Sequence, residues 1–133
     1  MEVSLSAPYT IKKLPHVEDS AVRFGISEVQ EARFAYQALE CEDTGFSYHR
    51  VKPGRRQAFA HKHDQAEEVY VVLAGAGRVK LDDDIVSVEE LDALRVAPGV
   101  IRQFEAGPDG MELLAFGARH AGDGEIIPDW WSE

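Results

Sequence analysis

His61-Lys62-His63-Asp64-Gln65-Ala66-Glu67-Glu68-Val69-Tyr70-Val71-Val72-Leu73 sets two imidazoles and a carboxylate against a β-branched, aromatic run. Strand side chains alternate between faces, so His61 and His63 share a face, as do Gln57 and Phe59 before them. A short turn at Asp64-Gln65-Ala66-Glu67 leads to Glu68, whose face also carries Tyr70 and Val72. The spacing predicts a β-hairpin that brings His61, His63 and Glu68 to one point inside a barrel. Two neutral imidazoles and a carboxylate suit Fe(II), Mn(II), Ni(II), Zn(II) or Cu(II).

The flanking sequence repeats the strand signal. Gly75-Ala76-Gly77 reads as a turn before the alternating run Arg78-Val79-Lys80-Leu81, and Asp82-Asp83-Asp84 as the next turn before Ile85-Val86-Ser87-Val88. Leu94-Arg95-Val96, then residues 101–104 and 111–116, continue the series, with Gly107-Pro108-Asp109-Gly110 read as a turn between the last two. Many short strands separated by turn residues predict an all-β sandwich or barrel. Residues 27–40 are ambiguous. Ser27 and Gln30 resemble a capping box with Val29, Ala32, Tyr36 and Leu39 on one helix face, while Arg33-Phe34-Ala35-Tyr36 alternates like a strand. The all-β context favours strand.

The chain has 133 residues, one domain's worth, and 44% of them are hydrophobic, enough for a packed core. Fourteen basic residues against 24 acidic ones give a net charge of −10, which argues against nucleic-acid and anionic-membrane partners. No apolar run reaches the roughly 20 residues of a membrane helix. Residues 1–6 lack the basic and apolar regions of a signal peptide, and the single cysteine, Cys41, forms no internal disulfide. A cytoplasmic location is the expectation.

Gly54, His61, His63, Glu68 and Gly75 together resemble the first motif of the cupins, with one extra residue between Gly54 and His61. Asp92, Pro98, Gly99 and Phe104 resemble the second motif, and the likeness runs over about residues 45–117. The chain is thus similar to a small single-domain cupin of the RmlC-like superfamily. The resemblance implies a double-stranded β-helix, or jelly-roll, barrel at residues 41–118. Residues 1–40 form an N-terminal arm on this reading, and residues 119–133 a short tail containing Trp130 and Trp131. It also implies a homodimer, and a divalent metal (Fe, Mn, Ni or Zn) on His61, His63 and Glu68. Oxygenase-type and isomerase-type chemistry are both within the family's range, as are binding and sensing without turnover.

One departure bears on the site. Arg102 stands where the family usually places a fourth, imidazole ligand, and Leu91 and Ala97 replace its usual Gly and Pro. A guanidinium stays protonated and has no lone pair for a metal. Two readings follow. In one, His61, His63 and Glu68 keep the metal, and Arg102 binds an anionic group of a small-molecule ligand beside it. In the other, Arg102 pairs with Glu68 in place of a metal, and the barrel is a metal-free binding module. Alternation puts Arg102 and Phe104 on one face, so the expected ligand-contacting residues are Arg102, Tyr70, Gln57, Phe59 and Phe104. His49 is a substitute ligand if it points inward. The basic run Arg50, Lys52, Arg55, Arg56 and Lys62 forms either a positive rim for an acidic ligand or a charged, solvated edge strand.

Overall fold

The computed structural model describes residues 8–132. The first seven residues of the expected arm and Glu133 lie outside that range. Eight strands follow in order: β1 (Gln30–Phe34), β2 (Thr44–Val51), β3 (Ala60–His63), β4 (Glu68–Leu81), β5 (Asp84–Glu89), β6 (Ala93–Val96), β7 (Arg102–Ala118) and β8 (Gly124–Ile127). A one-turn helix, α1 (Ser20–Arg23), precedes them. Among the described residues no helix is long and apolar enough to cross a membrane.

β4 and β7 are antiparallel partners and together form the spine. The first part of β4 pairs with residues 111–117 of β7, and the second part, from Gly77, pairs with residues 102–106. Around the first half lie β2 with β1 beyond it, and β6 on the other side. Around the second half lie β3 with β8 beyond it, and β5 on the other side. The sheet therefore curls into two layers that share their two longest strands, a jelly roll as expected.

The glycines expected to form turns lie inside strands. Gly75 and Gly77 belong to β4, and Gly107 and Gly110 to β7. The register between β4 and β7 shifts at 72/74 and again at 75/77, where both strands bend from one layer into the other. A Cβ on Gly77 would lie 2.0 Å from the Glu105 carbonyl oxygen, and one on Gly75 equally close to that of Gly110. Gly75 and Gly110 also have φ of +77° and +79°. A bulge and a turn ask for the same residue type, so the local sequence does not separate them.

The strand expected within 27–40 is confined to β1, paired on β2 from Gln30↔Val51 to Phe34↔Ser47. Residues 36–40 form turns. Asp19 Oδ1 accepts from Ala21 N at the start of α1 and from Ala32 N in β1, and so ties the helix to the sheet. The expected hairpin between His63 and Glu68 does not form as a ladder, because β3 pairs with β7 and β8. The C-terminal segment contributes β8. Beyond it Trp131 is buried against the barrel, with the Arg56 guanidinium 4.2 Å and that of Arg78 5.2 Å from its ring centroid.

The core fills the space between the layers with Val51, Val72, Val79, Val96, Phe104, Met111 and Leu113, all nearly or fully buried. The other end of the barrel is not filled. A cavity of about 270 Å³ remains there, with Ala21 and Phe24 of the α1 region in its lining.

Candidate metal centre

β3 places His61 and His63 on the second layer, and β4 places Glu68 on the first. Their ligand-type atoms all lie within 4.8 Å of one another. His61 Nε2 and His63 Nε2 are each 3.4 Å from Glu68 Oε1, and the two rings are nearly perpendicular. The convergence predicted from the sequence is present, but it is made across the barrel interior. All three side chains are largely shielded from solvent, which strengthens their mutual electrostatics.

Each imidazole is held differently. His63 Nδ1 lies 3.1 Å from Asp123 Oδ2, while its Nε2 is buried without a hydrogen-bond partner among the described residues. Asp123 also accepts from the backbone N–H groups of Gln65 and Ala66. Burial works to raise the Asp123 pKa, but these two amides and His63 more than offset it and keep the carboxylate ionised. An ionised Asp123 holds the proton on Nδ1, which leaves a lone pair on Nε2. Histidine ligands to metals are oriented in this way. The interaction with Glu68 raises the His63 pKa despite burial.

Asp123 had no local signal in the sequence, where Gly122-Asp123-Gly124 reads as a turn. It stands 60 positions from His63. Asp123→Asn removes the charge that fixes the tautomer while keeping an acceptor for the Gln65 amide. The expected result is metal affinity about 10–100-fold weaker, read by competition with a chromophoric chelator. Unchanged affinity would detach Asp123 from the site's function.

Burial works to raise the Glu68 pKa, but His61, His63 and Tyr70 together hold it well below the usual carboxylate range. The Tyr70 hydroxyl donates to Glu68 Oε1 and lies 3.3 Å from His61 Nε2. Burial first, then the neighbouring Glu68 charge, pushes the Tyr70 pKa well above its ordinary value, so the phenol stays protonated. It positions the carboxylate.

Of the other expected ligand-contacting residues, Gln57 and Phe59 line the cavity with Tyr70. The Gln57 side chain is already committed, its Oε1 accepting from Phe104 N. Phe104 and Arg102 correct the expectation. Both are fully buried and neither lines the cavity. Phe104 packs under the Tyr70 ring at 4.9 Å. Arg102 lies directly opposite His61 in the β3–β7 register, behind Glu68, with Nη1 3.7 Å from Oε1. Nη2 donates to the Ala97 carbonyl oxygen at 3.0 Å. Its Nε and Nη1 make no hydrogen bond among the described residues. The strands on either side enclose it, so the alternation that correctly aimed it inward did not carry it to the ligand space.

His49 does point inward and lines the cavity, but it stands outside the His61–His63–Glu68 cluster. Its Nε2 lies 2.8 Å from Ser47 Oγ, and burial lowers its pKa to about 4. The basic run lies away from the cavity. Arg50, Lys52 and Arg55 are exposed, and Arg56 bonds Glu105 at 2.7 Å. Neither expectation for this run is met in full: it forms no rim on the cavity, and Arg50 belongs to β2, which is paired on both sides rather than at an edge. A second, smaller cavity of about 170 Å³ reaches His63 and Glu68 from the other side, past Tyr36 and Arg119.

Two β-layers closed around a buried two-His, one-carboxylate cluster define a jelly-roll barrel with an internal metal-type centre. The cupin domain pattern matches residues 47–116, more than half of the chain, and the protein belongs to the cupin domain family. Among solved structures, it is similar to a cupin protein from Bacteroides fragilis, with a TM-score of 0.68 and 22% identity over 96% of this chain and 98% of that one. The polyketide cyclase RemF from Streptomyces resistomycificus superposes with a TM-score of 0.72 at 17% identity, over 93% and 87% of the two chains. An oxalate decarboxylase variant from B. subtilis superposes with a TM-score of 0.65 at 23% identity, covering 74% of this chain but only 28% of that one. At such identities the likeness is one of fold. No curated protein matches the sequence.

Proposed function

We propose that this protein is a metal-binding cupin that holds one divalent ion through His61, His63 and Glu68 and takes a small molecule into the adjoining cavity. The observation that carries this reading is the convergence of His61 Nε2 and His63 Nε2 on Glu68 Oε1, each at 3.4 Å, while Asp123 holds the opposite nitrogen of His63. The donor set of two imidazoles and a carboxylate fits Fe(II), Mn(II), Ni(II) or Zn(II). Such an ion, when bound, supplies Lewis acidity toward a ligand oxygen.

The chain's own residues have separable tasks in this reading. Asp123 sets the His63 tautomer, the Tyr70 hydroxyl orients Glu68, and Gln57 and Phe59 form wall. Arg102 compensates Glu68 from behind. That last contact also supports a second reading, a metal-free binding barrel in which Arg102 and Glu68 pair, since they stand 3.7 Å apart.

Elemental analysis of untagged protein, purified without chelating resin, separates the two. Close to one equivalent of metal is expected in the wild type and a small fraction of that in His61→Ala. Failure to retain any metal after incubation with Fe(II), Mn(II), Ni(II) and Zn(II) would overturn the metal reading in favour of the Arg102–Glu68 pair.

A further inference from the structure

The larger cavity carries information about what it takes. Away from the cluster its wall is mostly apolar: Ala21, Ile26, Ala32 and Phe59 lie inside it. Its rim is apolar as well, with Phe24 66%, Phe34 49% and Ile126 60% exposed. Among the described residues no lysine or arginine lines it, and its charged members are the carboxylates Glu68 and Glu125. Arg102, the cation nearest the cluster from behind, is closed off.

These features disfavour a small dianion. A dianion would leave its second charge against apolar wall and a carboxylate, inside a chain of net charge −10. The smaller cavity does offer Arg119, but that side chain is exposed and lies over the Tyr36 ring at 4.3 Å. A solvated guanidinium contributes little to an ion pair. Burial of apolar carbon adds up with each methylene-sized group, so several buried carbons outweigh it. Size agrees with this. A dry apolar cavity of about 150 Å³ accepts benzene, and this one is about 270 Å³.

We infer that the ligand of this barrel is a small molecule with an oxygen-donor head, neutral or singly charged, and a ring-sized apolar body seated among Phe59, Ala32 and Phe34. The head faces His61, His63 and Glu68. The inference rests on the metal reading above and adds the ligand class to it. Three exposed apolar side chains at the rim are then the entrance, where an apolar body begins to lose its hydration.

Protein loaded with Co(II) tests this, since the visible spectrum of the ion reports any oxygen donor that joins it. Acetohydroxamate and benzohydroxamate present the same head with a methyl or a phenyl body. Calorimetric titration is expected to give benzohydroxamate an affinity at least about tenfold above acetohydroxamate, and above oxalate. Phe34→Gln, a change at a half-exposed rim position, is expected to reduce that ratio severalfold. Equal affinities for the two hydroxamates, or tightest binding of oxalate, would overturn the ligand class and leave the metal centre standing. Failure to take up Co(II) would overturn the metal reading and this inference with it.

Discussion

Glu68→Gln should cost the protein both its metal and a measurable part of its stability. The substitution keeps the shape of the side chain and removes its charge. Three groups approach the same oxygen, Oε1: His61 Nε2 and His63 Nε2 at 3.4 Å and Arg102 Nη1 at 3.7 Å. The Tyr70 hydroxyl donates to it as well. Loss of the anionic ligand is expected to lower metal affinity by more than the roughly 10–100-fold that an outer-shell change costs. Independently, metal-free protein is expected to lose about 3 kcal/mol, because Arg102 has no solvent exposure and would face a neutral amide in place of a carboxylate. Chelator competition reads the first effect, and urea denaturation of chelator-treated protein reads the second. An unchanged urea midpoint would show that Arg102 does not depend on Glu68 for its burial.

Arg102→His is expected to act in the opposite direction on metal binding. Residue 102 pairs directly with His61 in the β3–β7 register, so an imidazole there stands beside the existing cluster. The change removes a buried cation from the neighbourhood of a divalent ion and adds a neutral nitrogen ligand. Metal affinity should rise at least about tenfold, which is about 1.4 kcal/mol. Equilibrium competition against the same chelator measures it. A variant that binds metal no better than the wild type would place residue 102 outside ligand reach. The same substitution also abolishes the metal-free ion pair, so tighter metal binding is expected under either reading, and the comparison measures the ligand reach of residue 102.

Much of the site was legible because it depends on short spacings. The two-residue interval of His61 and His63 implies a shared face, and Glu68 and Tyr70 repeat that interval on the next strand. The cupin-like glycines and the Pro98-Gly99 pair fixed their order along the barrel. Where the reading went wrong, one residue type served two purposes. Gly75, Gly77, Gly107 and Gly110 look like turn residues, yet they let β4 and β7 pass backbone against backbone at the barrel's bends.

By itself the sequence determined the all-β class and the three candidate metal ligands, through alternation and spacing along a few residues, and it carried the motif resemblance that pointed to the family. Only the tertiary structure decided three further matters. It paired Asp123 with His63 across 60 positions, and it sealed Arg102 behind Glu68, away from the ligand space. It also lined the cavity with side chains from α1, β1, β2, β3, β4, β7 and β8. Burial and long-range pairing are properties of which strands become neighbours, and hydrophobic periodicity specifies a strand's faces without naming its neighbours.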